Sequence, residues 1–89
     1  MTELTTTLTV TVRYFGAAQA AAGVECEMVA VEPGTTVADV ASRIADGNPR
    51  LAAVLTRCTY LCDGVAVRNA SSEVRAGQTI DALPPFAGG

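Results

Sequence analysis

The sequence predicts a small α+β domain in which one main helix crosses one face of a mixed sheet of about five strands. Three observations support this fold: an alternating strand pattern near the N-terminus, a single capped helical pattern after it, and three short strand patterns in the second half. With 89 residues the chain has room for one hydrophobic core and too little for two. A composition of 49% hydrophobic and 17% charged residues is typical of a folded domain.

The first predicted strand covers residues 8–14, where apolar and polar residues alternate strictly. An alanine-rich connection over residues 16–23 separates it from the second strand. One face of the first strand consists of Leu8, Val10, Val12 and Tyr14, and the other of Thr7, Thr9, Thr11 and Arg13.

The second predicted strand covers residues 24–31, and the short link before it indicates a hairpin with the first. Glu25 and Glu27 are expected to face outward, but Val29 has the same parity along the strand. A bulge near Met28 would bring the glutamates and the valine to opposite faces.

A helix is predicted after the break at Pro33-Gly34. Thr36 is a suitable N-cap, and Asp39 three residues later forms a weaker version of the capping box. Gly47-Asn48-Pro49 ends the helix, and one further helical turn is expected from Leu51, Val54 and Leu55. The apolar residues of the main helix recur with helical spacing: Val37, Val40, Ala41, Ile44 and Ala45.

The second half of the chain predicts three more strands. The first covers residues 58–62 and turns at Asp63-Gly64, a strong hairpin signal, into residues 65–67. The last strand covers residues 79–83, and Pro84-Pro85 stops its pairing because proline has no N–H to donate. The resulting order is the β-grasp arrangement, with the first and last strands paired in parallel at the centre of the sheet. We therefore predict a domain over residues 1–83 and an extended tail over residues 84–89.

Composition excludes most classes of partner and of self-sufficient enzyme. A net charge of −3 argues against nucleic acid, and the sequence contains no run of about 20 apolar residues that would span a membrane. The absence of histidine and lysine excludes the usual nucleophile–base pairs and Schiff-base chemistry. Three cysteines without scaffold spacing, and no readable signal peptide, indicate a reducing cytoplasm.

The remaining candidate groups favour structural roles. Glu25 and Glu27 are best interpreted as solvated carboxylates on an outer strand. Cys58 and Cys62 would lie on one strand face roughly 13 Å apart, too far to form a disulfide or share a metal. Iron–sulfur ligation needs four cysteines, and this chain has three. We predict no metal site, and buried or half-buried thiols at Cys26, Cys58 and Cys62.

The C-terminal tail is the one segment whose sequence suggests chemistry. In extended form six residues reach about 18–20 Å beyond the domain. Gly88 and Gly89 carry no Cβ, so their backbone would enter a channel that rejects side chains. Phe86 lies outside the predicted sheet and is expected to contact a partner. The tail with its last strand residue reads Leu83-Pro84-Pro85-Phe86-Ala87-Gly88-Gly89.

Three segments together resemble the MoaD/ThiS family of ubiquitin-like sulfur carriers, over essentially the full length. They are Val12-Arg13-Tyr14-Phe15-Gly16, Thr36-Val37-Ala38-Asp39-Val40 and the ending Pro84-Pro85-Phe86-Ala87-Gly88-Gly89. The Pro-Pro-x-x-Gly-Gly ending is most similar to the molybdopterin branch of that family. Many relatives have Arg-Glu where this chain reads Ala18-Gln19-Ala20.

The resemblance implies that the Gly89 carboxylate is the reacting group. An ATP-dependent, MoeB-like enzyme would adenylate it, and a sulfurtransferase or cysteine desulfurase would supply the sulfur of a thiocarboxylate. A MoaE-like large subunit of molybdopterin synthase would provide the catalytic side chains for sulfur delivery to cyclic pyranopterin monophosphate. Residues 83–88 would contact the partners, and the chain itself would bind no cofactor.

Three other interpretations remain open at this stage. In the first, the chain serves another sulfur pathway, such as thiamine thiazole or cysteine synthesis, although Pro84-Pro85 argues against it. In the second, it is a protein modifier that is joined to lysines of its targets. In the third, it is a plain interaction domain without an activated terminus.

Overall fold

The computed structural model describes residues 6–85, and the strands in it form one five-stranded mixed sheet. The strand order is β2-β1-β5-β3-β4, with β1 and β5 parallel at the centre and the other neighbours antiparallel. The predicted β-grasp fold is confirmed. In chain order the elements are β1 (Leu8–Tyr14), α1 (Gly16–Ala22), β2 (Cys26–Val31), α2 (Val37–Ala45), α3 (Pro49–Leu55), β3 (Thr59–Cys62), β4 (Val65–Ala66) and β5 (Thr79–Leu83).

The hydrophobic core lies between one face of the sheet and the three helices. The alternation predicted for β1 is confirmed, since Val10, Val12 and Tyr14 are buried. Ile80 and Ala82 of β5 continue this buried face. The helices contribute Ala18, Val37, Val40, Leu51 and Leu55 to the same cluster.

The main helix α2 begins at the predicted capping box. The Thr36 hydroxyl accepts a hydrogen bond from the Asp39 N–H at 3.1 Å, and the Asp39 carboxylate accepts one from the Thr36 N–H at 3.1 Å. The second bond favours the ionised carboxyl and lowers the pKa of Asp39. Val37 and Val40 then turn their side chains into the core.

The two short helices differ in how well the sequence predicted them. The expected turn at residues 51–55 is confirmed as part of α3, whose first turn is capped by the Asn48 side chain accepting from the Leu51 N–H at 3.0 Å. Residues 16–23, predicted as a connection, instead form helix α1, ended by Gly23 at φ +81°. Alanine is the strongest helix former, so five alanines among the seven residues of α1 favour a helix once Ala18 packs into the core.

The second strand pairs with β1 without the predicted bulge. Its register continues without interruption from Leu8 opposite Val31 to Arg13 opposite Cys26. Glu27 therefore does lie on the same face as Val29, at the end where the core stops. There its carboxylate accepts a hydrogen bond from the Tyr14 hydroxyl at 2.9 Å. Burial raises the pKa of Tyr14, and the bond to Glu27 raises it further.

The hairpin in the second half matches the sequence prediction. Asp63 and Gly64 have φ of +50° and +83° and join β3 to β4 as a two-residue turn. The strands are one residue shorter than expected at their outer ends, because β3 begins at Thr59 and β4 ends at Ala66. The last strand, β5, has the predicted bounds.

Candidate functional site

The predicted tail follows β5, a central strand that is paired on both sides. Strand β5 pairs with β1 up to Ala82 and with β3 up to Leu83. Leu83 and Pro84 are half-buried, and Pro85 is exposed. The other predicted tail residues, Phe86, Ala87, Gly88 and Gly89, lie outside the described residues. The tail therefore begins directly after a strand that is paired on both sides, and we call this starting segment, residues 83–85, the tail root.

A shallow apolar hollow of about 510 Å³ lies next to this root. It is formed where the small side chains of α1 and α3 leave space beside the two prolines. Gly16, at the β1–α1 junction with φ +51°, lies close to Pro84: a Cβ placed at Gly16 would lie 3.6 Å from Pro84 Cγ. The lining residues are Ala17, Ala53, Val54, Thr56, Arg57, Pro84 and Pro85.

An ion pair joins the two central strands on the sheet face away from the helices. The Arg13 guanidinium donates from Nε to Asp81 Oδ1 at 2.6 Å and from Nη2 to Oδ2 at 2.8 Å. The side chain of Asp81 is 7% exposed and that of Arg13 is 53% exposed. The hydrogen bonds, and then the charge of Asp81, raise the pKa of Arg13.

The sequence interpretation missed this pair although it carried a signal. Asp81 interrupts the otherwise apolar end of β5, between Ile80 and Ala82, while Arg13 stands on the polar face of β1. A parallel pairing of the two strands was predicted. The two charged side chains are neighbours because the strand register places Arg13 opposite Asp81, and the sequence alone does not give that register.

The three cysteines do not form a group that indicates a chemical role. Cys58 and Cys62 are half-buried and pack against the core, as predicted, and burial raises the pKa of both thiols. Cys26 is exposed, so the prediction of a buried or half-buried thiol is wrong there, because its register opposite Arg13 places it on the sheet face away from the helices. Within residues 6–85 no group of three or more acidic or cysteine side chains is placed to hold a metal ion.

No helix within residues 6–85 has the length and apolar character needed to cross a membrane.

Comparison with known proteins gives one family and several similar folds. The model of the ThiS family matches residues 12–89, and no curated protein sequence matches the chain significantly. The chain resembles the small archaeal modifier protein 1 of Methanosarcina acetivorans (TM-score 0.79, 22% identity, 94% of this chain and 99% of that one). The corresponding protein of Haloferax volcanii is similar (TM-score 0.79, 20% identity, 89% and 99%).

A third similar structure is a complex. It contains subunits 1 and 2 of the molybdopterin-converting factor of Helicobacter pylori, and the matched chain has a TM-score of 0.67 and 22% identity, covering 92% of this chain and 100% of that one. At such identities these likenesses show the shared fold.

Proposed function

Because the chain belongs to the ThiS family of ubiquitin-like sulfur carriers, we propose that it is the sulfur-carrying small subunit of a molybdopterin synthase. Its reacting group would be the carboxylate of Gly89. The observation that carries the proposal is the position of β5: the family match extends through residue 89, and the segment that follows β5 starts from a central strand paired on both sides.

The proposed reaction sequence uses the terminus and leaves catalysis to the partners. The Gly89 carboxylate, anionic at neutral pH, attacks the α-phosphorus of ATP on an activating enzyme, and pyrophosphate leaves. The persulfide sulfur carried by a sulfurtransferase or cysteine desulfurase then attacks the carbonyl carbon and displaces AMP, and a second thiol reduces the resulting acyl disulfide by forming a disulfide with the donor's cysteine. The product is a thiocarboxylate.

Sulfur delivery would occur on the large subunit. The thiocarboxylate sulfur would bond to a side-chain carbon of cyclic pyranopterin monophosphate as a carbon–oxygen bond there breaks, the oxygen leaving as water or with the phosphate group. Water would then cleave the acyl–sulfur bond, leaving the sulfur on the pterin and restoring the Gly89 carboxylate. Since the chain contains neither histidine nor lysine, the acid–base groups for these steps would come from the partners.

Two observations favour the molybdopterin pathway over other sulfur pathways. The tail begins with Pro84-Pro85, as in the branch that the sequence most resembles. One structure of the same fold is a complex of two subunits of a molybdopterin-converting factor. A second candidate function, protein modification, is supported by the likeness to two small archaeal modifier proteins.

Mass spectrometry of the chain purified from its native host tests the proposal. A thiocarboxylate would add about 16 Da to the chain, the difference between sulfur and oxygen. Covalent adducts on other proteins would instead favour the modifier function.

Variants of the tail locate the reacting group. Deleting Gly89 shortens the reach by about 3.5 Å, and a misplacement of ~1 Å already costs about a hundredfold in rate. Replacing Gly88 by Val adds a β-branched side chain that a narrow channel would reject. Both variants should fold but fail to form the thiocarboxylate or deliver its sulfur, whereas the exposed-site control Ala76→Val should be unaffected. Full product formation by the Gly89 deletion in a reconstituted synthase would contradict the proposal.

A further inference from the structure

The sheet face away from the helices carries a charged pair at its centre with apolar residues beside it. Cross-strand partners point to the same side of a sheet, so the register places Arg13 of β1 beside Asp81 of β5, and Asp81 beside Leu61 of β3. Leu83 follows on the same face two residues later, and Met28 of β2 is 74% exposed there. We call this surface the open face; it consists of Arg13, Met28, Leu61, Asp81 and Leu83.

The stability of the fold does not account for the ion pair. Removing the Asp81 carboxylate from water is costly, whereas the half-exposed Arg13 side chain keeps part of its own hydration. Well-packed apolar residues in place of a buried charge and its partner are often as stable or more so. Asp81 is the one buried charged residue within residues 6–85, and it interrupts an apolar strand. A role beyond the free domain would explain why the central strands hold two charges at this position.

The geometry presents the guanidinium of Arg13 in a fixed orientation. Its Nε and one Nη2 hydrogen are used by the two oxygens of Asp81, so three of its five N–H donors face away from that carboxylate. The carbon at the centre of the guanidinium also lies 5.6 Å from the centroid of the Phe15 ring. Because two of its nitrogens donate to Asp81 and the Phe15 ring lies beside it, the guanidinium has less side-chain entropy to lose on binding than a free arginine.

We propose that Arg13 is a specificity-determining residue for the large partner subunit, with Asp81 as the residue that positions it. This inference rests on the proposed function. The occupant of the open face would be that subunit, offering a backbone carbonyl or a carboxylate to Arg13 and apolar side chains to Leu83 and Met28.

Continuity with the tail identifies this occupant. Leu83 belongs to the open face and immediately precedes Pro84-Pro85, so a protein that contacts the tail along its whole length, as proposed for residues 83–88, reaches the end of β5. The ion pair lies only one strand repeat further back, at Asp81. Arginine is enriched at energetically important interface positions, and a pair neutralised in advance adds hydrogen-bond specificity with a smaller desolvation cost.

Binding measured by titration calorimetry against the large subunit of the same organism tests the inference. Three variants are compared with the wild type: Arg13→Lys, the double variant Arg13→Leu/Asp81→Leu, and the control Arg75→Leu, which removes an exposed arginine elsewhere. The double variant leaves no unpaired buried charge, so its melting temperature should equal or exceed that of the wild type. Its affinity should nevertheless fall by about tenfold or more, and Arg13→Lys should also bind more weakly, because lysine lacks the planar fork.

The possible results separate this inference from the proposed function. If the wild type binds and the double variant binds within about twofold of it, Arg13 is not a specificity determinant, and the inference fails alone. A wild type that neither binds the large subunit nor forms a thiocarboxylate would overturn the proposed function and this inference with it. Should the double variant fail to fold, the wild-type NMR signal of the Arg13 Nε–H decides the matter. It should shift when the large subunit is added, and an unchanged signal would refute the contact.

Discussion

Gly16 should control where the tail begins, and a comparison with Gly23 isolates that effect. Both glycines have positive φ, +51° at Gly16 and +81° at Gly23, so any other residue strains the backbone at either site. They differ in their surroundings. A Cβ at Gly16 would lie 3.6 Å from Pro84 Cγ, whereas a Cβ at Gly23 would have no neighbour within 4 Å.

The magnitude follows from these contacts. An L-residue in the left-handed region costs about 1–2 kcal/mol, which lowers the melting temperature of a domain of this size by roughly 4–8 °C per kcal/mol. Gly16→Ala and Gly23→Ala should therefore lose similar stability, because 3.6 Å is an ordinary van der Waals separation. Gly16→Val adds two γ-carbons beside Pro84 and should lose a further ~1–3 kcal/mol compared with Gly23→Val.

The functional assay is the rate of ATP-dependent thiocarboxylate formation, measured by mass spectrometry at a temperature where all variants are folded. If Gly16→Val relieves its clash by pushing Pro84 aside, the tail starts from a displaced point. A displacement of ~1 Å would then reduce the rate by about a hundredfold. Gly23→Val should react at the wild-type rate. Equal stability losses for the two valine variants, together with equal reaction rates, would refute the role of Gly16 at the tail root.

Four further expectations can be checked separately. Thr36→Ala removes the capping box of α2 and should cost about 1 kcal/mol of unfolding free energy in a urea titration; an unchanged midpoint would contradict it. Replacing all three cysteines by serine should leave sulfur loading intact, and a folded variant that is adenylated but never thiocarboxylated would contradict this. Phe86→Ala should weaken binding to the large subunit by about 1–3 kcal/mol with little change in melting temperature, whereas the reverse result would place Phe86 in the core. Burial raises the pKa of Tyr60 to about 12, so above pH 10 the unfolded chain loses the Tyr60 phenol proton before the folded chain does. The free energy of unfolding should therefore fall as pH rises above 10. A Tyr60→Phe variant with the same alkaline unfolding curve as the wild type, measured by circular dichroism, would contradict this.

The sequence predicted those parts of the fold that depend on local pattern. Alternation defined β1, the pair Thr36 and Asp39 defined the start of α2, and Asp63-Gly64 defined the hairpin. Each of these signals is satisfied within a few residues of where it is read, so no tertiary information was needed.

The errors occurred where tertiary contacts decide the outcome. Residues 16–23 have high helix propensity but too few residues for a stable isolated helix, and packing of Ala18 into the core supplies the rest. The expected bulge in β2 assumed that a glutamate must avoid the buried face. Glu27 instead lies at the end of that face and satisfies the Tyr14 hydroxyl, a partner 13 residues away.

The same distinction holds for the candidate site, where local features were predictable from the sequence and features that depend on tertiary contacts were not. Pro84-Pro85 is readable because proline ends strand pairing wherever it stands, and the structure does end β5 at Leu83. The hollow beside the prolines and the ion pair on the open face were not predictable. Both depend on how β5 aligns with elements far away in the sequence: 68 residues separate Arg13 from Asp81.

The placement of β5 at the centre of the sheet has a mechanical consequence for the proposed reaction at Gly89. A strand on the edge of a sheet is released when one ladder opens, but β5 is released only when its ladders with β1 and β3 both open. The tail root therefore stays fixed as long as the domain is folded. In the proposed function, a partner that binds the open face and receives the tail in a channel would hold the chain both before and after Pro84-Pro85. This arrangement would deliver the Gly89 carboxylate to one position on each partner.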